Sequence, residues 1–193
     1  MSALTYPLVA LLALPWPTSS RADEPDVGDL KTRLSSPVYD TRRSVVTELL
    51  HVGEKRPLKK EEIDLLLPHL QSDADWRIKV RITLVLTYAA DRGWVLQPLI
   101  MALQDRDDKS SGGGNVPYAA CWALARLGDS RGLQPMEDWL RFLESHPKAY
   151  GEYLHDDLTK GTKLRIGELK SKLEKEGSKS VEPTATRSAA GGG

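Results

Sequence analysis

The tripeptide Leu-Gln-Pro occurs twice, at residues 96–98 and 133–135, an offset of 37 residues, and the chain around it repeats too. "LQPLIMALQD" aligns with "LQPMEDWLRF", setting Leu99 over Met136 and Leu103 over Leu140. Upstream, "IKVRITLVLTYAAD" stands over "VPYAACWALARLGD", so that Ile78, Ile82, Leu86 and Ala89 match Val116, Ala120, Leu124 and Leu127. That set falls on one face of a helix. A more degraded copy precedes both: "TRRSVVTELLHVG" contributes Val45, Val46, Leu49 and Val52, and "KKEEIDLLLPHLQSD" adds Ile63, Leu66, Leu67 and Leu70. A period near 37 with two amphipathic helices per unit constrains the fold severely, because neither helix can bury its face alone. Stacked units would build one continuous core.

The unit resembles the HEAT repeat, most closely its short bacterial form, called phycobilisome-lyase-like. "VPYAACWALARLGD" and "QPLIMALQD" carry the likeness over roughly residues 37–143, with Pro117 standing where the pattern has Arg and Ile82 where it has a small Ala. The resemblance implies an all-α fold, a short right-handed α-solenoid of about three HEAT-like helical pairs. "TKLRIGELKSKLEKEG" predicts a C-terminal capping helix with Ile166, Leu169 and Leu173 on one face and Gly177 as its stop. One segment competes with this picture. "WRIKVRITLVLTY" is β-branched and partly alternating, a strand signature taken alone. Its two helical stripes, its Ala- and Leu-rich repeat partner and the N-cap residue Asp75 favour helix.

The ends read differently. "PLVALLAL" has the length of an export-signal core and is too short to span a bilayer, which takes about 20 residues. Ser20 and Ala22 are small residues suited to cleavage after Ala22, although no Lys or Arg precedes the apolar run. The expected organisation is a signal peptide at 1–22, a linker at 23–36, the repeat domain at 37–176 and a disordered tail at 177–193. Export to the periplasm or medium follows from that reading.

Composition narrows the chemistry. The chain has 27 basic and 27 acidic residues, and no global field draws it to nucleic acid. Cys121 is the sole cysteine, which rules out an intramolecular disulfide and four-cysteine metal sites; "AACWALA" suits a buried thiol. None of His51, His69, His146 and His155 lies in a ligand motif; His155 adjoins Asp156 and Asp157, a pairing that could assist a metal site, but a solvated helix face is the default reading. Glu61 and Glu62 suit a helix start. The basic clusters around Arg42, Lys55 and Arg77 are interleaved with acids and read as solvated helix ends. No catalytic, metal or cofactor residues are assigned.

In a HEAT-like array the second helix of each unit lines the concave side. With Leu96, Leu99 and Leu103 facing the core, the outward residues are Gln97, Met101 and Gln104, with Trp94 near the start; the next unit offers Gln134, Asp138 and Arg141. This implies a non-enzymatic, monomeric module binding a protein or peptide there, without cofactor, nucleic acid or membrane span. The resemblance also implies an alternative, a lyase-like subunit that handles a chromophore or ligand. A nucleic-acid-binding role is the third reading. Finally, "DRDDKSSGGGN" at 105–115 fits neither a calcium loop nor a phosphate loop. It reads as a flexible turn enlarged by about six residues, from which deletion of Ser110 to Gly114 would leave folding intact, since Asp105 to Val116 spans eleven positions against five from Asp73 to Ile78.

Overall fold

The computed structural model describes residues 25–106, 109 and 112–179, which form eight α-helices and a 3₁₀ turn. The helices are α1 (Val27–Leu34), α2 (Tyr39–Lys55), α3 (Lys60–Ser72), α4 (Trp76–Leu86), α5 (Gly93–Ala102), α6 (Asn115–Leu127), α7 (Leu133–Ser145) and α8 (Glu152–Lys179). Among the described residues there is no strand, only an isolated bridge between Leu58 and Ala89. The fold is all-α. The strand-like segment is helix α4, and Asp75 caps it by accepting from the Arg77 amide.

Alternate helices are neighbours. α2 packs on α4, α4 on α6 and α6 on α8, while α1 packs on α3 and α3 on α5. Helices α3 and α5 also lean on α4 and α6 respectively. The α2–α4–α6–α8 row runs in one direction: Gly53 lies against Tyr88, Gly112 against Trp76, and Gly161 against Tyr118. The aligned apolar stripes meet along this row. Val45, Val46, Leu49, Ile78, Ile82, Leu86, Ala120 and Leu124 are all buried in one core. The Cys121 thiol is buried among them, and burial raises its pKa above the usual value, so it stays protonated and inert.

Three boundaries differ from expectation. Residues 27–34 of the expected linker form α1, capped by the Asp26 carboxylate, and its Leu30 and Leu34 are buried against α2 and α3. Two leucines one turn apart are enough to dock a short helix. The terminal helix begins at Glu152 and continues through Gly177 to Lys179, so Gly177 does not end it. The stretch expected to be a flexible turn is packed where it is described. Gly112, Gly113 and Gly114 all have left-handed backbones, and an added Cβ at Gly112 would lie 2.1 Å from the Trp76 ring. Glycine is required there by both conformation and space. The expected signal peptide and cleavage point lie outside the described residues, as does the tail beyond Lys179.

Candidate functional site

The two turn edges of the helix rows show where charge is committed. At one edge Arg42, in the first turn of α2, reaches Asp73 after α3 through Nε–Oδ2 (3.0 Å) and Nη2–Oδ1 (3.2 Å). The Asp73 side chain is 3 % exposed. Thirty-seven residues on from Arg42, the buried Lys79 of α4 reaches Asp105 after α5 at 3.1 Å. These are largely buried ion pairs between elements, and the expected solvated role of Arg42 and Lys79 is thereby corrected: both tie neighbouring helices together. Arg77 instead folds back on Asp75, and its guanidinium holds that carboxyl below the usual range.

At the opposite edge Leu58 N–H donates to the Tyr88 carbonyl (2.8 Å) and Ala90 N–H to the Leu58 carbonyl (3.0 Å), tying two connections together. Glu62 is buried beside this edge. Its carboxylate accepts from Arg56 Nη1 (2.9 Å) and from the Lys59 amide (2.8 Å). Burial disfavours that carboxylate, but these hydrogen bonds outweigh the cost and lower its pKa. His155 is also not a solvated residue: it is buried, with Nε2 2.8 Å from the Leu143 carbonyl near the end of α7. Among the described residues no group of three His, Cys, Asp or Glu is placed to hold a metal.

The outward residues of α5 lie along a surface. Gln97, Met101 and Gln104 are exposed, and Met101 is one of the few exposed large hydrophobic residues, at 46 %. Trp94 is half-buried and leans on the core. Met101 and Gln104 line a cleft of about 330 Å³ with Gln71 at the end of α3 and Pro98, floored by the Lys79–Asp105 pair. On α7, Gln134 Nε2 donates to Asp138 Oδ1 at 2.8 Å, and Arg141 also donates to Asp138. These three make a cluster of their own on a helix packed chiefly on α8 and the 3₁₀ turn. The structure therefore joins the α5 residues to Gln71 and Lys79, which repeat reasoning had not grouped with them. The matching "LQSD" and "LQD" at the ends of α3 and α5 is the signal that pairs Gln71 with Gln104.

A larger cleft, about 790 Å³, lies between α1 and α2. Several of its charges satisfy one another: Arg33 bonds Asp29, Glu48 and Ser44, and Arg43 pairs with Asp40. No protein-family model matches the chain, and no curated protein matches it either.

Proposed function

We propose that the chain is a HEAT-like α-solenoid acting as an exported, non-enzymatic interaction module that holds a protein partner on the face formed by α3 and α5. The observation that carries this reading is the order of helix contacts: alternate helices stack in two rows, at a sequence period near 37. A stack of this kind leaves one row of second helices lined with outward side chains. Met101 supplies an adaptable apolar anchor and Gln71, Gln97 and Gln104 supply amide donors and acceptors around it. Interaction rather than catalysis is favoured because the buried charges Glu62, Asp73 and Lys79 are each tied into a structural pair. Export is part of the proposal and rests on the apolar run and the small residues at Ser20 and Ala22.

Site-specific photo-crosslinking tests the surface. A crosslinker placed at Gln97, Met101 or Gln104 in the native host should capture one discrete protein, whereas the same group at Thr32 or Asp157 should not. Equal capture from all positions, or from none, would count against the face. Mass spectrometry of the purified native protein should find Asp23 at its amino terminus; an intact Met1 would remove the export reading.

A further inference from the structure

Two of the three glycines of helix α8, Gly161 and Gly167, differ in what surrounds them. Gly161 has a reason inside the molecule: an added Cβ would lie 2.6 Å from the Tyr118 ring. Gly167 has none, because an added Cβ would meet nothing within 4 Å. A helix-interior glycine disfavours its own helix, and close approach of a ligand to the backbone is one use that offsets this. Gly167 lies in a cleft of about 560 Å³ between α6 and α8, faced by the half-buried Trp122.

Cations converge on the same cleft. The Arg126 guanidinium sits 5.4 Å from the Trp122 ring centroid and 5.3 Å from that of Tyr88. Lys172 lies across the end of α6, its Nζ donating to the carbonyls of Ala125 (3.0 Å) and Arg126 (2.9 Å). Lys175 completes the rim. Glu168 is the one acid lining the cleft, and Arg165 neutralises it through two hydrogen bonds of 2.6 and 2.8 Å. Arg126 and Lys175 have no carboxylate partner among the described residues.

We propose that this cleft is a second docking site, distinct from the α3–α5 face, and that it takes an acidic segment of a partner protein. One flat side chain of that segment lies over Gly167 against Trp122, and its flanking carboxylates meet Arg126 and Lys175. Charge complementarity chooses the occupant. Three cations ring a single cleft of side-chain size instead of forming a track, and the formal charge of the whole chain is zero. Both features fit a short acidic peptide better than a nucleic acid or an anionic membrane.

The probe is a fluorescein-labelled peptide with one tryptophan flanked on each side by three glutamates, read by fluorescence anisotropy against the full chain. Saturable binding is expected, weakened tenfold or more by Gly167→Leu, which fills the cleft without changing charge, and by Arg126→Glu. Met101→Ala, on the other face, should leave it unchanged, so that this site and the α3–α5 reading fail separately. Circular dichroism of each variant should match the wild type; Gly167→Leu adds only a good helix former in open space, so it tests the site even if Arg126→Glu misfolds. The proposal is overturned by wild-type affinity in Gly167→Leu, by no binding at all, or by equal affinity for the peptide's glutamine counterpart. Binding to vesicles of phosphatidylglycerol and phosphatidylcholine that Arg126→Glu abolishes but Gly167→Leu does not would overturn it too.

Discussion

Arg42 and Lys79 stand at corresponding positions of α2 and α4, and each crosses a turn edge to an aspartate that follows the next helix. The corresponding residue of α6 is Pro117, and no such cation is present there. Rings take over instead. Trp139 is fully buried and stacks on Phe142 at 5.5 Å, Phe142 stacks on His146 at 4.5 Å, and Tyr150 closes the cluster 6.1 Å from Trp139. Where another helical pair follows, the edge is held by charge; where the stack ends against α8, it is held by aromatic packing. The difference has a physical basis. An internal edge presents a turn aspartate and a first-turn cation from neighbouring helices, so an ion pair can be buried with both partners present. The last edge meets a long single helix and a chain reversal through Tyr150, whose left-handed backbone (φ 66°) is the only positive φ among described non-glycine residues. Pro117 is tolerated because the first-turn amides of a helix have no intrahelical acceptor.

The largest effect expected is on the aromatic side. Trp139→Ala should cost about 3–5 kcal/mol in a urea titration, from lost burial plus an unfilled cavity. On the ionic side Asp73→Ala should cost about 3 kcal/mol, because it removes the carboxylate from Arg42 Nε and Nη2, on a side chain only 12 % exposed, and leaves only the Nη1 bonds to the Ser36 and Pro37 carbonyls. The double variant Arg42→Met, Asp73→Leu should recover most of that loss. If Asp73→Ala is silent while Trp139→Ala is not, the charge-held and ring-held edges are unequal and the comparison fails.

Glu62 gives the pH dependence. Its folded pKa lies below the ordinary 4.5, so its contribution is present above that value and is lost as pH falls through the lowered folded pKa. Thermal melts from pH 6 down to pH 3 should therefore show a falling Tm, with a shallower slope in Glu62→Gln. An identical slope would show that the pair with Arg56 contributes nothing. The smallest effects come from Gly161 and Gly167 of α8, and they should have opposite signs. Gly167→Ala should stabilise by about 0.5–1 kcal/mol, the helix-propensity gain. Gly161→Ala should destabilise, since its Cβ would press on Tyr118.

These contrasts explain what could be read in advance. The helices of the repeats were legible because Ile78, Ile82 and Leu86, like Val116, Ala120 and Leu124, report burial through local spacing alone. The outward set Gln97, Met101 and Gln104 followed from the same periodicity. Helix α1 was not legible, because Leu30 and Leu34 sit among charges and their burial depends on α2 and α3. Nor were the ion pairs: Arg42 and Asp73 are 31 residues apart and Lys79 and Asp105 are 26 apart, so local charge patterning cannot match them. The glycines at 112–114 signal conformational freedom locally, whereas the Trp76 ring that requires Gly112 lies on another helix. His155 is a similar case, its acceptor being a carbonyl on the preceding helix.

The covering of both ends of the core has a consequence for how such a molecule can change in size. Helix α1 closes one end over Leu30 and Leu34, and α8 closes the other with Leu158, Ile166 and Leu169 turned inward and Asp156, Asp157 and Lys160 turned to water. The outer faces of these two helices are mixed, with Val27 on α1 and Tyr153 and Leu164 on α8 exposed among charged residues. On the proposed solenoid reading, a longer version would keep its internal edges closed only where each added pair of helices brought its own first-turn cation and turn aspartate, as Arg42–Asp73 and Lys79–Asp105 do. On that reading the length of the molecule is written in the spacing of its charges, one cation and one aspartate for each edge to be closed.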